Sequence, residues 1–361
     1  MISERETHQS FTTPKINRKK ALTLEPSLGI ILGEGFFLGE KMKRTMIVDV
    51  LNMYFRAYIV NPSLSTNGQP IGGLKGSLGI MQKLIREVNP DQTILCWDGA
   101  GGSQRRKKMN KNYKAGRKPI RLNRAVRNLT ENEEVTNKIW QQTRLMEYFN
   151  EMPVIQLMVD NVEADDLVSF VCKQTSVADN QKVIISNDKD FFQVLGDNTV
   201  LHRPTQKETL NRKDIIEKFG IHPNNFALAR AMVGDTSDNL PGIKSVGLAT
   251  VKKRFPFLIE EKSYTIDEVV NYCEAADSKL KIYQNIIEGQ DLLEDNYKIM
   301  QLYSPLISPQ GKRKIKHNID NADYFFNKTE IMKMMMEDGF GSYNWDSLFQ
   351  NFKRISLENK K

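Results

Sequence analysis

Apolar positions along this chain follow two regimes that meet near residue 207. In the first, short apolar runs at residues 45–49, 93–97, 154–159, 182–186 and 199–203 read as buried strands. Between them lie stretches at helical spacing. Residues 75–88 carry Leu78, Met81, Leu84, Ile85 and Val88 on one stripe and stop at Asn89-Pro90. Residues 133–149 place Val135, Ile139, Leu145, Met146 and Phe149 on the expected inner face, and residues 163–173 form a further helix. Strands alternating with helices predict an α/β fold with a mostly parallel central sheet wrapped on both faces. Beyond residue 207 the pattern turns helical, with helices predicted over 212–219, 224–233, 248–255, 266–275, 279–288 and 329–336 and no further strand.

This pattern divides the chain into a leader at 1–44, an α/β part at 45–206 and a helical part at 207–361. The leader shows no sustained period, so a poorly ordered segment is expected; an upstream over-read, with the start at Met42 or Met46, is the other reading. Its most apolar stretch, residues 28–38, is too short to span a bilayer and does not resemble a secretory signal. A soluble, cytoplasmic monomer is expected. Three cysteines without a Cys-x-x-Cys pair argue against a zinc ribbon and a disulfide scaffold, and four scattered histidines argue against a histidine metal site.

The predicted strands end in acids. Asp49 closes the first and Asp98 follows the second; Glu163, Asp165 and Asp166 open a helix, and Asp188 and Asp190 follow the fourth strand. Asp235 and Asp238 form a further pair in Gly-Asp-Thr-Ser-Asp-Asn. Any one of these reads equally well as a solvated loop acid or a helix cap. Together they converge on the carboxyl edge of one sheet, where ligands of such folds bind. Repulsion makes that convergence costly unless cations neutralise it, and all-oxygen donors select magnesium or manganese. Two such ions can clamp a phosphodiester without a protein nucleophile.

Charge then sharpens the picture. The net charge of +8 alone gives no better than even odds of a polyanionic partner. Its distribution says more: residues 99–130 hold eleven lysines and arginines and no acid, among them Arg105, Arg106, Lys111, Lys114 and Arg117, and they start directly after Asp98. A solvated loop is the plain alternative, but beside an acidic site such a segment can thread a phosphate backbone, with Tyr113 as a stacking surface. A second element, Gly242-Ile-Lys244-Ser-Val246-Gly247 leading to Thr250, makes a tight turn between two predicted short helices, with backbone amides free for a phosphate.

In order and wording these motifs resemble the 5′-nuclease superfamily: flap endonucleases, the 5′-nuclease domain of bacterial DNA polymerase I, and stand-alone phage 5′-exonucleases of the ribonuclease H type. The resemblance runs from about residue 46 to 255 and rests on Glu163-Ala-Asp-Asp, Asn187-Asp-Lys-Asp and Gly234-Asp-Thr-Ser-Asp-Asn-Leu-Pro-Gly-Ile. It implies a PIN-like sheet, a helical arch at 99–130 and a helix-hairpin-helix at 235–255. It also implies a first metal on Asp49, Asp98, Glu163 and Asp165, and a second on Asp188, Asp190 and Asp238. Asp165 would lie between the ions, with Asp166 and Asp235 acting through water. Lys114 and Arg117 would contact the scissile phosphate, with Tyr113 beside them; Arg105, Arg106 and Lys111 would support the strand. Gly242, Lys244, Val246, Gly247 and Thr250 would hold the downstream duplex, with a potassium ion there.

The implied activity is a structure-specific 5′-3′ exonuclease and flap endonuclease acting on 5′ flaps, nicked duplexes and RNA–DNA hybrids in replication, near replication proteins. A PIN-type endoribonuclease and a catalytically silent DNA-binding relative are the alternatives. A minimal PIN domain lacks the hairpin and basic segment, and a silent relative should have lost metal acids. No clamp-binding peptide is evident, and residues 345–352 read as core packing.

Overall fold

The computed structural model describes residues 42–358 apart from 127 and 277–279. The expectation of a disordered leader therefore falls on residues 1–41, outside the described part, while Arg44 already belongs to a strand. The first strand, β1 (Arg44–Asp49), runs into α1 (Val50–Val60) and α2 (Gly72–Val88). Then come β2 (Gln92–Trp97), a short helix α3 (Gln104–Met109), α4 (Glu131–Asn150), β3 (Ile155–Met158), α5 (Ala164–Gln174), β4 (Gln181–Ile185), β5 (Thr199–Arg203) and β6 (Glu208–Leu210). The helical remainder comprises α6 (Arg212–Phe219), α7 (Pro223–Val233), α8 (Leu248–Arg254), α9 (Ile266–Ala275), α10 (Lys281–Glu288), α11 (Gln290–Met300), α12 (Pro309–Asp320), α13 (Lys328–Glu337) and α14 (Trp345–Glu358).

The six strands stand in the order β3-β2-β1-β4-β5-β6, the first five parallel and β6 antiparallel to β5. Because side chains alternate along a strand, β1 sends Ile47 to one face and Met46 and Val48 to the other, and all three are fully buried. Behind Ile47 lies a core of α5, α7 to α12 and the turn after β4, including Phe170, Phe192, Phe226 and Ile315. Behind Met46 and Val48 lies a second core of α1, α2, α4, α13 and α14, including Tyr54, Leu78, Phe149, Met335 and Phe352. The C-terminal helices thus cover both faces of the sheet. Leu348 and Phe352 of α14 are fully buried, as the core-packing expectation for that segment holds.

Three sequence expectations need correction. A strand does occur after residue 207: the three-residue β6 pairs with β5 through a turn in which Lys207 takes a left-handed backbone (φ 53°). It is too short to show a period. Val135 and Ile139 are 48% and 55% exposed, not inward. The buried stripe of α4 is instead Glu134, Asn137, Gln141, Leu145 and Tyr148. Gln141 accepts a hydrogen bond from the Leu74 amide (2.9 Å) and donates to the Pro70 carbonyl (2.9 Å), so a polar stripe is buried with its hydrogen bonds made. Finally, among the described residues of the basic segment only Gln104–Met109 is α-helical; turns follow as far as residue 116, with one short 3-10 turn at Arg124–Val126.

Candidate metal and nucleic-acid site

The chain reverses direction across the sheet between β1 and β4, and that crevice gathers the acids. Asp49 ends β1 and caps α1, accepting from the Asn52 amide (3.3 Å), while Ser186 at the end of β4 donates its hydroxyl to the other Asp49 oxygen (2.9 Å). Asp98, just past β2, accepts from the Ala164 amide (2.7 Å) and so caps α5 from a neighbouring strand. Asp188 accepts from the Asp190 amide (2.8 Å). These bonds, two of them local and two from distant segments, orient Asp49, Asp98 and Asp188.

The electrostatics follow from crowding. Burial, with Asp98 next, pushes the Asp49 carboxyl up to about 7. Burial and Asp188 do the same to Asp190, and burial and Asp165 to Asp166, each up to about 7. Asp98 and Asp188 are raised too, chiefly by burial. Glu163 is the exception. Burial works to raise it, but the Arg106 and Lys114 charges outweigh burial and hold it below the usual carboxylate range. Asp235 is likewise held low, burial being outweighed by the Ser237 hydrogen bonds and Arg230.

The basic segment folds onto this acid. Arg106 is buried and grips Glu163, Asp166 (2.8 Å) and Asp165 (3.5 Å) while donating to the Ile299 carbonyl (2.9 Å). Lys114 pairs with Glu163, and the Tyr113 hydroxyl donates to the same carboxylate (3.1 Å). The tip of the segment is pinned to the turn around Asp238. The Lys114 amide donates to the Asp238 carbonyl (2.8 Å), the Asn239 side chain to the Asn112 carbonyl (3.0 Å), and Arg117 pairs with Asp238. Lys114 and Asn239 both adopt left-handed backbones (φ 58° each) to make that meeting. Arg105 donates to the Leu306 carbonyl (2.6 Å), and Lys111 is exposed.

At the hairpin, Gly242 lies flat against the end of α7, where any Cβ would overlap the Val233 carbonyl. The Ile243 amide donates to the Met232 carbonyl (2.8 Å), and Ser245 turns the chain with φ 65°. Val246 is buried in the core, so only its backbone is open to a ligand, while Lys244 is exposed. Gly247 caps α8, and the Thr250 amide bonds back to the Gly247 carbonyl (2.8 Å).

Sequence reading missed Arg230. From α7 it donates to Asp190 (2.9 Å) and pairs with Asp235, tying the β4 acids to the hairpin acids. A basic residue at helical spacing gives no sign of facing inward. Ser186, the orienting partner of Asp49, was missed for a similar reason, although a hydroxyl at a strand end before Asn-Asp-Lys-Asp is a usable signal.

Whether divalent ions fit here turns on the donors. Among the described residues, Glu163, Asp165, Asp166, Asp190, Asp235 and Asp238 pair with Arg106, Lys114, Arg117 and Arg230, while Asp49, Asp98 and Asp188 make no ion pair. Among the described residues no three acidic, histidine or cysteine groups close into a ready coordination shell. Arginine and lysine side chains stand between them instead. The donor set is nonetheless all hard oxygen and under-neutralised, and it fits divalent cations.

Acids at the carboxyl edge of a parallel sheet, beneath a cationic segment, define a class of metal-dependent phosphodiester hydrolases. Residues 44–220 match the family described as 5′-3′ exonuclease, N-terminal resolvase-like domain. The 5′-3′ exonuclease of Aquifex aeolicus is 26% identical over 294 residues, covering 81% of this chain and 93% of that protein. DNA polymerase I of Caldicellulosiruptor bescii is 27% identical over 69% of this chain, which spans only 28% of that relative's length. Among solved structures, a bacteriophage T5 flap endonuclease with DNA and metal ions superposes with a TM-score of 0.57 at 20% identity, covering 83% of this chain and all (100%) of the other. The T5 5′-exonuclease with bound zinc gives 0.56 at 18%, covering 87% and 98%. These two likenesses speak to the fold. Across its sheet the chain is thus similar to 5′-3′ exonucleases.

Proposed function

We propose that this protein is a structure-specific 5′-nuclease that hydrolyses phosphodiesters at 5′ flaps and 5′ ends of nicked DNA and RNA–DNA hybrids, working in the cytoplasm beside replication proteins. The observation that carries this reading is that acids follow β1, β2 and β4 at one sheet edge while Lys114 pairs with Glu163 at the N-terminus of α5 and Arg117 with Asp238.

In this reading Asp49, Asp98, Glu163 and Asp165 hold one divalent cation, and Asp188, Asp190 and Asp238 a second, with Asp166 and Asp235 in support. Magnesium is the physiological choice for such oxygen donors, manganese the substitute. The pair supplies the positive charge that lowers the pKa of an attacking water and offsets the charge on the leaving oxygen. Lys114 and Arg117, released from Glu163 and Asp238, turn to the scissile phosphate. Tyr113 is buried with its hydroxyl on Glu163, so it becomes a stacking surface only once that contact opens, and Arg105, Arg106 and Lys111 carry the base of the segment. The helical part beyond residue 207 takes the duplex, through Gly242, Lys244, Val246, Gly247 and Thr250. A potassium ion at that turn rests on the family resemblance alone.

The test is cleavage of an end-labelled 5′-flap duplex in magnesium, beside Asp188→Ala and a chelator control. Cutting at the junction should vanish in chelator. It should fall by roughly 100-fold or more in the variant, since even outer partners of a metal ligand are worth 10–100-fold. Binding without any cutting would instead mark a silent relative, and cutting confined to single-stranded RNA a PIN-type endoribonuclease.

A further inference from the structure

Beyond α11 the chain crosses the site as a strap, residues 301–306, before entering α12. The Leu302 amide donates to the Gln193 side chain (2.7 Å), Leu302 accepts from Ser169 (2.5 Å), and the Leu306 amide donates to Asp166 (3.1 Å). From the other side Arg105 of the basic segment donates to the Leu306 carbonyl. In the middle of this fixed strap Tyr303 is 59% exposed, an aromatic ring presented to solvent beside the site. Directly beyond, α12 buries Ile315 and Ile319, turns Arg313, Lys314 and Lys316 outward and leaves Lys312 half-buried. Among the described residues none of these four pairs with a carboxylate. Lys312 and Lys316 lie over the ring of Phe170, on the same helix α5 whose first turn holds Asp165 and Asp166. The spacing of Lys312, Arg313 and Lys316 sets them on one continuous helix face leading away from the site.

A fixed, exposed aromatic followed by a row of unpaired cations is what a single strand of nucleic acid binds: bases stack and phosphates are neutralised, with no need for sequence. We propose that Tyr303 and the Lys312–Arg313–Lys316 face of α12 form a track for the single-stranded 5′ segment of the substrate, on the side of the site away from the duplex-binding hairpin. This rests on the nuclease reading above and adds a second contact surface to it.

Binding in chelator by fluorescence anisotropy, over a salt series, tests the track. One substrate is a nicked duplex without a tail; the other carries a 5′ tail of about 15 nucleotides, near the upper single-strand site size. In Lys312→Gln/Arg313→Gln/Lys316→Gln the affinity for the tailed substrate should fall about tenfold. The salt slope should shrink by about 2, three phosphates at 0.7 each. The tailless nick should bind as before. Tyr303→Ala should weaken only the tailed substrate, and Tyr303→Trp should restore it. Equal losses on both substrates, or no loss on either, overturn the track while leaving the nuclease reading intact. Wild-type protein that binds neither substrate removes both.

Discussion

Arg230 holds Asp190 through Nε and Asp235 through Nη2, so a single cation couples the sheet acids to the hairpin. Removing it strands two carboxylates in a partly buried place. Arg230→Ala should therefore cost about 2–3 kcal/mol, below the 3–5 of a fully buried pair because water reaches both acids. The loss should be largest in chelator and smaller in magnesium, where cations take over the neutralisation; urea denaturation in the two buffers reads the difference. The acids themselves were legible because their strand-end positions recur. Arg106 was legible only as one cation in a basic run. That it turns inward, away from solvent, depends on the Ile299 carbonyl and three carboxylates brought in from distant segments. No local pattern carries that information.

At the scale of elements, the hairpin depends on a close approach of backbone to backbone. Gly242→Ala would drive a methyl into the Val233 carbonyl, so a loss of about 1–3 kcal/mol is expected, with weaker binding of nicked duplex. Thermal melting and duplex affinity, measured together, check both. An unchanged melt would mean that α7 and the turn can separate without cost. Strands β1, β2 and β4 were readable because each carries buried apolar residues on both faces, the mark of a parallel sheet between two helical layers. Helices α11 and α12 escaped notice. In α12 four cations crowd the sequence while only Gly311, Ile315 and Ile319 are buried, a stripe one residue wide. The first helix escaped as well, since α1 starts on the residue after β1 with Asp49 serving as both strand end and cap.

For the molecule as a whole, crowded acid sets the pH response. Asp49, Asp166 and Asp190 have folded pKa values of about 7 against an ordinary 3.8, so the folded chain binds extra protons. The stability they contribute is complete below their unfolded pKa and is lost as pH rises through about 7. In chelator the melting temperature should thus rise as pH falls from about 7 toward about 5. Magnesium should flatten or invert that slope, because cations bind the deprotonated form. A chelator slope of opposite sign would mean that the acids are already neutralised within the protein. The C-terminal end belongs to the same whole: α14 plugs the α2 face with Leu348, Phe352 and Ile355, all fully buried. Deleting residues 345–361 exposes their binding sites on the core, at roughly 1.5–3 kcal/mol per side chain. The truncated protein should be insoluble or melt far lower, as a solubility assay and a thermal scan would show.

The strap at 301–306 is held mostly through its peptide groups. Arg105 and Ser169 meet carbonyls, Asp166 and Gln193 meet amides, and Arg106 takes the carbonyl of Ile299 just upstream. Peptide groups look alike whatever side chain they carry. Apart from the buried Gln301 and Leu302, then, this stretch is expected to be free to drift in spelling across relatives but not in length: one inserted or deleted residue would slide each peptide group past its partner. It works as a ruler, and its outward-facing positions are where new specificities can be written without disturbing the chemistry below.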